Sequence, residues 1–199
     1  MEKITKLDDL ELEPLFNQYK NLIIDVFKVG YTLEFIKKYR NKRNNVFSEI
    51  THVALENFYL LLLWKLFEKK SKINVYGIRN KIQNQEFLKF FNTEIKKIKN
   101  EIKAISEWRN RVICHRDITV HFDPKSFEDK FKIRNKEQDI KKIKTFLFKF
   151  LCHFGPIASP NHTTPAEKIY KEIFNETKGR CLKDAKLSLQ GFSNIYDSN

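Results

Sequence analysis

Proline and glycine are scarce in this chain, and their scarcity limits the folds open to it. The five prolines lie at positions 14, 124, 156, 160 and 165, so none interrupts residues 15–123, and only five glycines occur in 199 residues. Because these two residue types are the strongest markers of turns, a chain so poor in them favours a few long helices over a sheet with many turns. The length fits one domain with an appended helix.

The N-terminal half contains two predicted helices. Asp8 and Asp9 can cap a first helix that runs to about Arg40, with Gly30 as its weak point. The basic, Asn-rich residues 39–45 are then expected to form a loop or a frayed helix end, which is either simply solvated or guides RNA.

A second helix is predicted from near Ser48 to about Lys69, followed by a connection over residues 71–84 with room for one short helix. The middle of this second helix, residues 58–64, is apolar on every side. The second helix is therefore predicted to be the most buried element of the fold, with Phe58, Tyr59 and Trp64 in the core.

The third predicted helix has the most regular pattern, and an arginine follows at its end. Apolar residues recur at alternating steps of four and three, at Phe91, Ile95, Ile98, Ile102 and Ile105. The next position of this stripe is Arg109. A charge on a buried stripe is costly unless a partner compensates it, so Arg109 is a candidate functional residue on physical grounds.

Two further helices complete the predicted fold. The fourth begins at Asn135 and ends at Gly155 and Pro156. After a loop over residues 156–163, Thr164 and Pro165 start a fifth helix that reaches about residue 178 and resumes to residue 189. We therefore predict an all-α fold: an up-and-down four-helix bundle over residues 1–155, with a loop and C-terminal helical extension over residues 156–199.

Composition restricts the setting in which the chain works. The 38 Lys and Arg against 25 Asp and Glu give a formal charge of +13, which permits RNA binding without proving it, since lysine is abundant throughout the chain. Three cysteines are too few for a disulfide framework, and the first residues do not resemble a signal peptide. The longest apolar run, residues 58–64, is too short to cross a bilayer, so we expect a cytoplasmic protein without membrane contact.

The end of the third helix contains the residues best suited to chemistry. Arg109 and Asn110 are followed by His115, and residues six apart on an ideal helix point about 120° away from each other. Both can therefore meet one ligand only if the helix unwinds near Cys114 or if two chains contribute copies.

The run from Arg109 to Asp117 resembles a known family motif. Arg-Asn followed by His after a short spacer is similar to the Arg-x(4–6)-His motif of HEPN domains, and Arg-Asn-Arg-Val-Ile-Cys-His-Arg-Asp is similar to the signature of the AbiU-like abortive-infection branch. The resemblance covers roughly residues 8–155, including an apolar second helix and a long third helix that ends in the motif.

The resemblance implies a metal-independent ribonuclease that uses no cofactor and shares its active site across a homodimer. His115 would be the general acid or base, Arg109 would hold the phosphate, and Asn110 would orient the histidine or a phosphate oxygen. Arg111 and Arg116 would bind flanking phosphates, and the products would carry 2′,3′-cyclic phosphate and 5′-OH ends.

The family also implies a role in phage defence or as a toxin. Toxins of this family paired with nucleotidyltransferase antitoxins often have a tyrosine two residues after the histidine. Asp117 stands there instead, so another antitoxin or regulatory protein is expected.

Simpler interpretations remain open at each position. Arg109 could form a salt bridge to Glu101, Glu107 or Asp117, and His115 could simply favour a helix C-terminus. Cysteine and histidine at 114, 115, 121, 152 and 153 could suggest zinc, but their spacing fits no compact ligand pattern, so no metal is predicted. The alternative function is a non-catalytic HEPN-like helical module that binds nucleic acid or a protein partner.

Overall fold

The fold is built from helices. The computed structural model describes residues 9–40, 46–70, 74–110, 136–160 and 163–196, and within these ranges it contains no strand, which confirms the all-α prediction. The helices of the described ranges are, in chain order, α1 (Asp9–Arg40), α2 (Val46–Phe67), α3 (Val75–Lys81), α4 (Gln85–Lys97), α5 (Lys99–Trp108), α6 (Lys136–Ala158) and α7 (Ala166–Tyr196).

The first two long helices follow their predicted ranges closely. α1 continues through Gly30, where a Cβ atom would lie only 3.2 Å from the Tyr59 hydroxyl of α2. The glycine therefore permits a close approach of the two helices. The predicted short helix in the connection is α3, which begins after Asn74, whose side chain accepts a hydrogen bond from the Gly77 amide at 2.8 Å.

The predicted third helix consists of two helices that meet at Ile98. The backbone of Ile98 leaves the helical region (φ −113°, ψ 14°), and its amide donates to the Ile95 carbonyl at 3.4 Å. The apolar stripe nevertheless continues across the junction, because Phe91, Ile98 and Ile105 are all buried. The break separates α4 from α5 without turning the stripe away from the core.

The prediction that Gly155 and Pro156 end the fourth helix is wrong. α6 continues to Ala158, and the Ser159 amide still donates to the Gly155 carbonyl at 2.9 Å. Proline in a helix loses one hydrogen bond and crowds the preceding turn, but at Pro156 only the last turn is affected. Burial of Ala158 accompanies this extra turn. α7 also exceeds its prediction, running without interruption from Ala166 to Tyr196.

α6 packs antiparallel to α1 and to the α4–α5 pair. Along α1, Phe16 contacts Phe154 with ring centroids 5.0 Å apart, while Lys37 at the other end of α1 pairs with Glu137. Along α4 and α5, three contacts in order join Phe90 to His153, Glu94 to Lys149 and Glu101 to Lys142. α1 also packs on α2, and α2 on α5.

The core is rich in aromatic residues, and α6 is its centre. Phe150 is fully buried and contacts five other rings, those of Tyr19, Phe87, Phe91, Phe146 and Phe154. The expectation that α2 is the most deeply buried helix is wrong. Tyr59 is buried and Trp64 partly buried, but Phe58 is 49% exposed and Ile50 is 62% exposed.

One stretch of α2 is long and apolar enough to cross a membrane. Among the described residues, Ile50–Phe67 has a mean hydropathy of 1.2 over 18 residues, and 33% of the stretch is buried in the fold. A core helix of a soluble protein meets the same criterion, and α2 already packs on α1, α3 and α5. The stretch is therefore weak evidence for a membrane span.

The C-terminal helix shares the core of the preceding helices. α7 packs on α1 and α6, and it contributes Tyr170 and Phe174 to the same hydrophobic cluster. The ring of Phe174 stacks on Phe27 with centroids 4.1 Å apart, and Tyr170 meets Phe16 edge to face. Phe16 precedes Phe27 on α1, and their partners Tyr170 and Phe174 follow in the same order on α7. α7 therefore runs parallel to α1.

Candidate active site

The backbone changes its winding where α5 ends. After Trp108, the winding at residues 109 and 110 is π-helical, whereas Arg109 itself keeps α-helical dihedral angles (φ −56°, ψ −48°) and its amide donates to the carbonyls of Ile105 and Ser106. Such turns are rare and occur frequently at functional sites. Arg109 thus lies at the end of the apolar stripe, as predicted, in a turn that the regular spacing did not predict.

The Arg109 side chain lies on an aromatic ring of another helix. Its Cζ atom is 4.1 Å from the centre of the Trp64 ring on α2, and both residues are partly buried. A guanidinium over an indole face gains about 0.5–2 kcal/mol, with the larger values where water is excluded. The contact holds the arginine against α2 and compensates part of the cost of its burial.

Asn110 is the second partner of the arginine. The Nη1 atom of Arg109 donates to the Oδ1 atom of Asn110 at 2.7 Å. The Nε atom is buried and has no hydrogen-bond acceptor among the described residues. A buried donor without an acceptor costs about 1–3 kcal/mol. The Arg109 guanidinium is therefore held in place while its Nε–H can still donate to a further acceptor.

A salt bridge to Glu101 does not explain the arginine. The Glu101 carboxylate is buried and accepts from Lys142 of α6 at 2.6 Å. Glu101 lies eight positions before Arg109, which is about 12 Å along a helix axis. Glu101 is therefore paired with α6, and Asp117, a second carboxylate considered from the sequence, lies outside the described residues.

The remaining predicted site residues fall outside the described ranges. Arg111, His115 and Arg116 all belong to residues 111–135. The described part of the site therefore consists of Arg109 and Asn110, and the expected roles of the other three residues stay predictions.

Cys152 and His153, the two described residues of the considered zinc site, are unsuited to metal binding. Burial raises the pKa of the Cys152 thiol to about 11, so the thiolate that binds metal is disfavoured. The His153 ring stacks flat on Phe90 at 3.7 Å, with Nδ1 2.9 Å from the Lys149 carbonyl oxygen. Over the described ranges, no three His, Cys, Asp or Glu side chains lie close enough to hold an ion.

Trp64 is the site residue that sequence reasoning missed. The sequence assigned it to the core because it ends the apolar run of α2. Its ring instead carries the Arg109 guanidinium, although it also packs against the core. Only the pairing of α2 with α5 reveals this contact, because the two residues are 45 positions apart in the chain.

Comparison of the chain with protein-family models, with curated proteins and with solved structures gave no match.

Proposed function

We propose that this protein is a metal-independent endoribonuclease of the HEPN type, with Arg109 and His115 as its catalytic pair. The observation that supports this best is the state of Arg109. Its guanidinium is held by Trp64 and Asn110 at the end of α5, yet its buried Nε has no acceptor among the described residues. A phosphate is the acceptor that such a planar donor group binds best.

The proposed reaction is transfer of a phosphodiester within the RNA strand. His115 accepts the proton of the ribose 2′-OH as this oxygen attacks the adjacent phosphorus, and the bond to the 5′ oxygen breaks. A second acid, such as His115 of the partner subunit, protonates the leaving oxygen. Arg109 stabilises the charge that develops on the phosphate, and Asn110, Arg111 and Arg116 position the site.

The finer architecture belongs to the same proposal. We infer that α1, α2, the α4–α5 pair and α6 form an up-and-down bundle of four helical units with α7 as a C-terminal extension. The support is that α1 packs on α2, α2 on α5, α5 and α4 on α6, and α6 on α1, which closes a ring. The antiparallel contacts of α6 with α1 and with α4–α5 agree with this order.

The proposed assembly is a homodimer. α2 exposes the large apolar side chains of Ile50, Val53 and Phe58, which we call the α2 surface. This surface lies on the helix that also carries Trp64. A two-fold interface there would cover apolar area and bring two copies of the Arg109 region towards each other.

The cellular role remains a proposal from the sequence resemblance. We propose a cytoplasmic effector of phage defence, or a toxin restrained by an antitoxin or regulatory protein. The same α2 surface also favours the second candidate, a non-catalytic helical module, because exposed apolar residues suit a protein partner.

Cleavage of total cellular RNA in EDTA tests the proposal. We expect wild type to leave 2′,3′-cyclic phosphate and 5′-OH ends, and His115→Ala to be inactive while its melting temperature stays unchanged. Arg109→Lys should also be inactive, because lysine keeps the charge without the planar fork. His153→Ala and Arg180→Lys are the matched controls, since both residues are exposed and distant in sequence from the motif.

Two results would contradict the nuclease. One is a folded wild-type protein that binds RNA without cutting it, which supports the binding module. The other is cleavage that survives both His115→Ala and Arg109→Lys, which assigns the activity to other residues or to a contaminant.

A further inference from the structure

A cleft opens between α1, α6 and α7, with α2 at its base. Its volume is about 650 Å³, within the usual range of small-molecule sites. Its apolar lining is dominated by the aromatic residues Phe27, Tyr31, Tyr59, Phe148 and Phe174. A cleft of this size and composition can receive the flat or extended apolar part of a small molecule.

Lys144 places a positive charge inside the cleft. Its side chain is only 18% exposed, and its Nζ atom lies over the rings of Phe27 at 5.1 Å and Tyr31 at 5.0 Å. Its carboxylate contact, to Glu34, is long at 3.4 Å, and Glu34 is itself mostly exposed. The Lys144 side chain is therefore mostly buried, and the long contact with Glu34 neutralises its charge only in part.

The rim of the cleft adds to this positive charge. Lys141 lines the cleft and Lys178 lies over Tyr31 at 5.9 Å, whereas Lys171, which also lines the cleft, is paired with Glu167. Of the two carboxylates in the lining, Glu137 is bound by Lys37 and Glu34 makes the long contact with Lys144. The lining residues therefore favour an anionic ligand over a cationic one.

An independent observation comes from the Tyr59 hydroxyl. Tyr59 lines the cleft and is only 2% exposed, and its hydroxyl has no hydrogen-bond partner among the described residues. This hydroxyl lies against Gly30, which also lines the cleft and offers no side chain to cover it. An acceptor on a bound molecule, reached by a small movement at the base, would satisfy the donor.

We propose that this cleft binds a small amphipathic anion, with its apolar body on the aromatic lining and a single carboxylate or phosphate group at Lys144. The Tyr59 hydroxyl donates to the same ligand at the base of the cleft. This site is built from residues other than Arg109 and its partners, so it does not depend on the ribonuclease proposal.

Titration with the fluorescent anion anilinonaphthalene sulfonate tests the site on the full chain. We expect saturable binding to wild type, weakened about tenfold or more in Lys144→Met, which keeps the packed stem but loses the charge. Thr145→Trp should abolish binding by filling the cleft from an exposed position of α6, where the Thr145 hydroxyl donates to the Lys141 carbonyl of the same helix. Tyr59→Phe should weaken binding by a smaller factor.

Two variants separate the cleft from other surfaces. Lys103→Met removes an exposed lysine of α5 outside the cleft, and Phe58→Gln removes an apolar side chain of the α2 surface. Both should bind like wild type. Binding that is unchanged in Lys144→Met and Thr145→Trp, or that is lost in Phe58→Gln, overturns the proposal.

Competition then identifies the source of the anion. Displacement of the probe by decanoate indicates a fatty carboxylate, and displacement by adenosine monophosphate indicates a nucleotide. Either result supports the site if the neutral analogue of the competing anion, decanol for decanoate or adenosine for the nucleotide, competes at least about tenfold less well than that anion. Failure of both anions at millimolar concentration, or equal competition by the matching neutral analogue, overturns it.

Discussion

A single arginine shows how neighbouring groups adapt a residue to one task. Arg109 lies at the π-helical end of α5, is packed on the Trp64 ring, and is fixed at one end by Asn110. An arginine on an open helix surface loses rotamer freedom when it binds a phosphate, whereas this one has lost much of that freedom already. Preorganisation of this kind is what an active-site arginine requires.

Replacing the ring beneath the arginine tests that view. Trp64→Leu should lower the RNA cleavage rate about fivefold or more, since a cation–π contact is worth about 0.5–2 kcal/mol, while Trp64→Phe should lie between it and wild type. The rates are measured on one RNA substrate at saturating concentration. Thermal melting of each variant gives the control, and a Leu variant that is folded and fully active would reduce Trp64 to a packing role.

Gly155 is required by a close approach of α6 and α7. A Cβ atom there would lie 2.7 Å from the buried Tyr170 hydroxyl, so Gly155→Ala should lower the free energy of unfolding by about 1–3 kcal/mol through overpacking. In a Tyr170→Phe background the same substitution should cost clearly less, because the colliding oxygen is gone. Denaturant unfolding of the four proteins measures this coupling.

Gly179 is the matched control for this experiment. It lies inside α7, and a Cβ atom added there would meet no neighbouring atom within 4 Å. Gly179→Ala should therefore raise the free energy of unfolding by up to about 1 kcal/mol through helix propensity. Equal effects at both glycines would mean that the contact with Tyr170 does not determine the cost at Gly155.

Some site residues could be predicted from the sequence and others could not. Arg109 stood out because a charge interrupted an apolar repeat, which local spacing reveals. Trp64 and Phe58 belong to one apolar run, and the sequence does not tell which of them faces the core. The position of α2 against α1 and α5 decides this, leaving Phe58 half exposed and Trp64 beneath the arginine.

At the scale of helices, periodicity predicted which segments are helical better than where they end. The break at Ile98 keeps the apolar stripe in phase, so a pattern search cannot detect it. Pro156 was expected to stop α6, but a proline in the last turn leaves little helix to disrupt, and Ala158 is still buried. Helix ends therefore depend on packing that becomes visible only in the folded chain.

Glu94 joins α4 to α6, and this connection should depend on pH. Hydrogen bonds from Lys149 (2.8 Å) and Lys97 lower the pKa of the Glu94 carboxyl below its ordinary value of 4.5. The folded state therefore favours the ionised form, which stabilises the protein above pH 4.5 and ceases to do so as the pH falls through the lowered folded pKa.

Glu94→Gln should accordingly destabilise the protein at neutral pH. The loss in free energy of unfolding should be less than about 1 kcal/mol, because the lysine partners are exposed. The difference in stability between the variant and wild type should become smaller in acid. Thermal melting across the acidic range measures it. Glu176→Gln, which removes an exposed pair with Arg180 on α7, serves as control and should change little at any pH. A difference that persists unchanged in acid would contradict the ionic origin.

At the scale of the whole molecule, the α2 surface makes assembly testable. Wild type should be a dimer by light scattering. The double substitution Ile50→Gln with Phe58→Gln should give a folded monomer, since Ile50 is largely exposed and Phe58 is half exposed. The rate of RNA cleavage should be lower in this variant, because the proposed active site requires the dimer. A wild-type monomer that cleaves RNA at full rate would contradict the shared active site.

The stacked pair of Phe27 and Phe174 joins the first and last described helices of the chain. During synthesis from the N-terminus, α1 is complete more than one hundred residues before its partner on α7 leaves the ribosome. Until then the aromatic face of α1 that α7 covers stays open to water and to other proteins. The nascent chain should therefore depend on chaperones until α7 emerges, and ribosomes stalled before that point should carry chains that proteases cut readily.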